Sequence, residues 1–147
     1  MNQIERGINI IGISTVTSNK AAFSQNTIGK LWDDFLKTPI KEKLTDISSS
    51  SIFAVYSDYE DGYEGKYKIT IGYAVNEVKE IPNGLTTVTI PAGKYKTFKS
   101  KSRAPEDIVD VWKTIWQIDP NTFQPNFVTT FEEYKDNNEV VISIGYD

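Results

Sequence analysis

Two stretches of the chain place apolar residues at i, i+3, i+4 and i+7, the spacing of a single helical face: Ile28, Leu31, Trp32 and Phe35, then Ile108, Val111, Trp112 and Ile115. Both predict amphipathic helices. The second carries its start in writing. Pro105 suits a first helical position, and Glu106 and Asp107 bring negative charge to the helix N-terminus. Its pattern runs out near Asp119-Pro120. The first runs out near Thr38-Pro39, because proline disfavours helical geometry in the residue before it.

Elsewhere the period drops to two. Lys68-Ile69-Thr70-Ile71-Gly72-Tyr73 matches Val141-Ile142-Ser143-Ile144-Gly145-Tyr146, with Ile, Ile, Gly and Tyr in the same places. Each alternation predicts a strand with one buried face. Upstream, Tyr56-Ser57-Asp58-Tyr59 lines up with Phe131-Glu132-Glu133-Tyr134. Turn-prone residues, Glu60-Asp61-Gly62 and Lys135-Asp136-Asn137-Asn138, join each segment to the strand that follows, so each half contains a hairpin. Ile4 to Val16 and Leu85 to Phe98 supply further strands. Pro91-Ala92-Gly93 marks a bulge or sharp bend in the latter, since proline cannot donate to a ladder. Thr45 to Ser51, with four consecutive serines, reads as a loop, as does Asn76 to Gly84.

A unit of strand, helix and hairpin therefore occurs twice, in halves of about 4–76 and 85–147. The expected fold is α+β: duplicated β-α-β-β units with pseudo-twofold symmetry, an antiparallel sheet with two helices packed on one face, in a single domain spanning 1–147. Such an arrangement leaves a groove between the helices or where the half-sheets meet, a common place for a ligand.

Composition narrows the chemistry. The 147 residues include no cysteine and no histidine, so there is no disulfide framework and no Ser–His or Cys–His nucleophile, and most zinc sites are excluded. No cofactor is indicated. A net charge of −4 opposes direct binding to nucleic acid, which rests on clustered Lys and Arg. No segment has the run of apolar residues that a spanning helix needs, so no membrane partner is expected and a cytoplasmic location is the default. Three Trp, eight Tyr and seven Phe supply core area and also ring faces and polar tips suited to a ligand pocket.

The order Ile28-Gly29-Lys30-Leu31-Trp32, Ala54-Val55-Tyr56-Ser57-Asp58-Tyr59-Glu60, Ile90-Pro91-Ala92-Gly93-Lys94-Tyr95, Val111-Trp112 and Phe131-Glu132-Glu133-Tyr134 resembles the GyrI-like effector-binding domain. That module also forms the C-terminal part of multidrug-responsive MerR- and AraC-type transcription activators. The likeness covers nearly the whole chain. It implies a duplicated fold with an aromatic-lined central pocket, in which a buried glutamate attracts lipophilic cations; the matching position is Glu132. The activators carry a DNA-binding module ahead of this domain, whereas this chain starts at the domain's first strand, so the expectation is a stand-alone sensor or sequestering protein.

The ligand-binding set expected on this basis is Glu132, Trp32, Phe35, Tyr56, Tyr73, Trp112, Trp116 and Tyr134, around a small-molecule ligand that is an organic cation. On alternation alone Glu132 also fits an exposed strand position, because Phe131 and Glu133 take the other face. The tryptophans equally fit a core role. Lys94, Lys96, Lys99, Lys101 and Arg103 read as a solvated face, and Asp58, Glu60, Asp61 and Glu64 as a solvated hairpin tip without the spacing of a calcium loop. Two alternatives stay open: hydrolysis of a reactive small molecule, with Glu132 steering water among tyrosines, and inhibition of a gyrase-like partner. An edge strand leaves a homodimer open as well.

Overall fold

The computed structural model describes residues 2–147; Met1, the first residue of the expected 1–147 domain, lies outside them. The elements are β1 (Asn2–Ile4), β2 (Ile8–Ser18), α1 (Asn19–Gln25), α2 (Thr27–Lys37), α3 (Ile40–Lys43), β3 (Ile47–Ser57), β4 (Lys66–Val75), β5 (Thr86–Ile90), β6 (Gly93–Ser100), α4 (Pro105–Trp116), β7 (Thr129–Tyr134) and β8 (Val140–Tyr146). All eight strands join one antiparallel sheet in the order β1-β6-β8-β7-β3-β4-β2-β5. No described helix is long and apolar enough to cross a membrane.

The duplication is visible in that order. The three strands β6-β8-β7 of the second half mirror β2-β4-β3 of the first, and the halves meet where β3 pairs with β7. Pairing also fixes which residues correspond. Tyr56 sits opposite Ile69, and Glu132 sits opposite Ile142. Since Ile69 and Ile142 are equivalent in the matched strands, Tyr56 corresponds to Glu132. The sequence alignment, which set Tyr56 against Phe131, is one residue out of step. A slip of one residue turns a strand's side chains to the other face. With the register corrected, the pseudo-twofold axis passes through the Val55–Phe131 pair.

The sheet curls back on itself. Ile4 pairs with Gly93 and Ile8 with Ile90, so the segment β1–β2 runs beside β5–β6 through the bend at Pro91-Ala92. Curling buries both faces at the centre. Leu31 and Phe35 of α2 pack with Ala54, Ile69 and Ile71 of the sheet, and Ile115 of α4 packs with Ile142 and Ile144. Ile10, Phe53, Val55, Ala74, Tyr95 and Phe131 fill the inside of the curl. Gly12 and Gly72 face each other in the register, and a Cβ on Gly12 would fall 1.9 Å from the Ile71 carbonyl oxygen.

Several expected boundaries move. The helix α4 starts at Pro105 as predicted but ends at Trp116, before Asp119-Pro120. Two short helices flank α2. The Ser18 hydroxyl caps α1 by accepting from the Ala21 amide at 3.1 Å, and Asn26 turns the chain into α2 in the left-handed region with φ of 52°. In α3 the first residue, Ile40, is buried. The serine run belongs to β3 rather than to a loop, with a register irregularity between Ile47 and Ile52. Two of its hydroxyls find partners in the opposite half: Ser51 donates to Glu133 at 2.8 Å, and Ser50 to Asp136.

Candidate functional site

Helix α2 divides its apolar residues between two directions. Leu31 and Phe35 press onto the sheet, whereas Ile28, Trp32 and Leu36 line a cavity; α4 adds Ile108, Trp112 and Trp116 to the same cavity. The cavity has a volume of about 750 Å³ and is mostly apolar, with Tyr56 and Glu132 contributed by the two central strands.

Glu132 is only 3 % exposed. Three neutral donors serve its carboxylate: Trp112 Nε1 donates to Oε2 at 2.7 Å, the Tyr56 hydroxyl donates to Oε2 at 3.2 Å, and the Tyr134 hydroxyl donates to Oε1 at 2.8 Å. Among the described residues it has no ion-pair partner. Burial pushes the Glu132 carboxyl above the ordinary carboxylate value, and the three hydrogen bonds oppose that rise. Burial, with the charge of Glu132 next in size, also raises the Tyr56 and Tyr134 phenols, so both stay protonated and able to donate. The same two causes push Tyr67 up to about 12. The result is a carboxylate held by dipoles alone, at a wall of rings: Trp112 meets Tyr56 at 5.7 Å and Trp116 at 5.9 Å, and Trp32 meets Tyr134 edge-on at 4.9 Å.

Of the expected residues, Glu132, Trp32, Tyr56, Trp112, Trp116 and Tyr134 lie on the cavity wall. Phe35 and Tyr73 do not. Phe35 is 4 % exposed and stacks on Tyr73 at 5.5 Å within the core between α2 and the sheet. Three positions past Trp32, Phe35 falls on the sheet-facing side of the helix, and Tyr73 lies toward the other end of β4. The cavity instead recruits Tyr59, Tyr63 and Tyr67 from the β3–β4 hairpin and Asn19 from α1. Tyr67 donates to Asn19 Oδ1 at 2.8 Å, and Asn19 Nδ2 donates to the Tyr63 carbonyl at 3.1 Å, which ties α1 to the hairpin. The even spacing of Tyr67 with Ile69 and Ile71 carries that signal. Arg103 also departs from expectation. It is exposed, but it lines the cavity rather than belonging to a wholly solvated basic run. Asp58, Glu60, Asp61 and Glu64 are exposed as expected, and no group of described acidic residues is placed to hold a metal ion.

Residues 5–145 match the family described as Cass2, integron-associated effector binding protein. The chain belongs to the Cass2 family. It is 31 % identical over 132 residues to YobU of Bacillus subtilis (strain 168), a protein named as a proposed transcriptional regulator; the match covers 88 % of this chain and 82 % of that one. Among solved structures, the integron cassette protein VCH_CASS2 from the mobile metagenome of Vibrio cholerae superposes with a TM-score of 0.80 at 26 % identity, over 98 % of this chain and 92 % of the other. The structure of SAV2435 bound to tetraphenylphosphonium superposes at 0.79 with 15 % identity, over 99 % and 92 %, a likeness of fold. The GyrI-like α+β architecture expected from the resemblance is the one observed, and Cass2 membership places the chain among effector-binding proteins.

Proposed function

We propose that this Cass2-family chain binds amphipathic organic cations in the cavity between α2 and α4, with Glu132 as the counter-charge, and so senses or sequesters them. The observation that carries the reading is the setting of Glu132: a carboxyl group 3 % exposed, hydrogen-bonded by three neutral donors and without an ion-pair partner among the described residues. Leaving an ionised group in such surroundings is unfavourable, and a soft cation entering the cavity relieves it without first shedding a tight hydration shell. Ring faces add about 0.5–2 kcal/mol per contact with a desolvated cation. The tetraphenylphosphonium seated in SAV2435, a protein of the same fold, supports this class of ligand.

The test compares tetraphenylphosphonium with neutral triphenylphosphine oxide, followed by tryptophan fluorescence and calorimetry. The cation is expected to bind at least about ten-fold more tightly, a difference of about 1.4 kcal/mol. Equal affinities would remove the role given to charge. A control separates cavity from core. Phe35→Leu is expected to lower stability by about 1–2 kcal/mol through lost packing while leaving the cation affinity within two-fold. A large loss of affinity would place Phe35 at the ligand after all.

A further inference from the structure

Arg103 is the feature that a purely cationic ligand leaves unexplained. It lies between β6 and α4, and its guanidinium donates to the Lys135 carbonyl while lining the cavity that holds Glu132. Its neighbours are differently placed. Lys135 and Lys99 both reach Glu139, at 3.3 and 3.7 Å, whereas Arg103 forms no ion pair with any described carboxylate. One bond to a backbone carbonyl leaves most of its five N–H donors available, in a planar fork suited to a carboxylate or sulfonate. Its charge is close enough to oppose the rise in the Tyr134 phenol, the group that donates to Glu132 Oε1.

A positive side chain at the wall repels a simple cation. A simple anion fares no better, facing Glu132 inside and a chain of net charge −4 outside. A molecule carrying both charges satisfies both groups. Asp33, on the α2 side of the same cavity, turns an anionic substituent away from that lip and toward α4. Resting on the cation-binding reading, we infer that the cavity selects amphoteric ligands: a delocalised or quaternary cation at Glu132 that also bears a carboxylate or sulfonate received by Arg103.

The experiment uses rhodamine B, a xanthylium cation with a pendant carboxylate, and its ethyl ester, which lacks the negative charge, in anisotropy titrations at neutral pH. The full chain is expected to prefer the acid by about two- to five-fold at low salt, the range of an exposed ion pair, with the preference shrinking as NaCl is added. Arg103→Gln, which keeps a donor for the Lys135 carbonyl, is expected to erase the preference and to bind the ester as well as or better than the parent does. Glu132→Gln is expected to weaken both dyes. Equal affinity of the parent for the two dyes, a preference that survives Arg103→Gln, or failure of both dyes where tetraphenylphosphonium binds overturns the amphoteric ligand and leaves the cation site standing. Unchanged binding of both dyes and of tetraphenylphosphonium by Glu132→Gln overturns the underlying site itself.

Discussion

Glu132→Gln is expected to weaken tetraphenylphosphonium binding by about ten- to hundred-fold, roughly 1.4–2.8 kcal/mol, while leaving the protein folded. The substitution is nearly isosteric, and the hydrogen bonds survive it. A glutamine oxygen in the place of Oε2 still accepts from Trp112 and Tyr56, and the amide NH₂ in the place of Oε1 donates to the Tyr134 oxygen, reversing one bond. Only the charge is lost. Stability should respond in a way that a surface glutamate would not reproduce. Because burial raises the folded-state pKa of Glu132 above its ordinary value of 4.5, the folded chain holds this proton more tightly than the unfolded chain does. The contribution of Glu132 to stability is therefore full below the unfolded pKa and is lost as pH rises through the folded one. Thermal melts of parent and Glu132→Gln across this interval should diverge with rising pH, the variant gaining relative to the parent. Cation affinity of the parent should rise over the same interval as the carboxylate ionises. A variant that binds tetraphenylphosphonium like the parent, or a melting difference that is flat in pH, would show that Glu132 carries no buried charge of functional weight.

Gly12→Ala is expected to destabilise the fold by about 3 kcal/mol or more, a large share of the 5–15 kcal/mol typical of a domain. The added methyl would sit 1.9 Å from the Ile71 oxygen and 2.6 Å from the Gly72 Cα, and both obstacles are backbone. A flexible side chain could swing aside; a sheet ladder cannot. Relief requires parting β2 from β4, the long pair whose ten registered positions hold the first half together. Urea unfolding measures the loss, and a midpoint close to that of the parent would mean that the two strands separate at this point at little expense. Because Gly12 does not line the cavity, any chain that still folds should keep its cation affinity.

Much of this architecture is legible from periodicity. The 3.6-residue stripes of α2 and α4 and the doubled strand pattern give the antiparallel sheet and its two-part symmetry, since each pattern is long enough to be unambiguous. Shorter signals fail for identifiable reasons. At seven residues α1 is too short to show an apolar stripe, although Ser18 before it is a recognisable cap. The serines of β3 look like a loop because their partners, Glu133 and Asp136, lie more than eighty residues away. Glu132 is the instructive case within the site. Alternation assigns one buried face to a strand, and Phe131 already occupies one side, so the glutamate beside it reads as exposed. The curl of the sheet buries both, Phe131 inside the curl and Glu132 under the helices, and no local pattern announces curvature. The family resemblance singles out Glu132 where alternation does not. It does not separate Trp32, which faces the cavity, from Phe35, which turns to the sheet.

The pairing of Tyr56 with Glu132 as equivalent positions has a consequence for the charge the cavity can hold. Were the chain two identical copies of its second half, each would bring a glutamate to the midline. Two carboxylates would then meet across the gap now bridged by the 3.2 Å contact from Tyr56 to Glu132. Like charges so close cannot both ionise readily, and one would retain its proton near neutrality. Carrying both halves on a single polypeptide frees them to differ: one supplies the acid, and the other supplies the phenol that solvates it. At the midline the cavity is thereby left with one buried carboxyl group, off-centre in an otherwise near-symmetric frame, and a guest entering it meets a defined front and back.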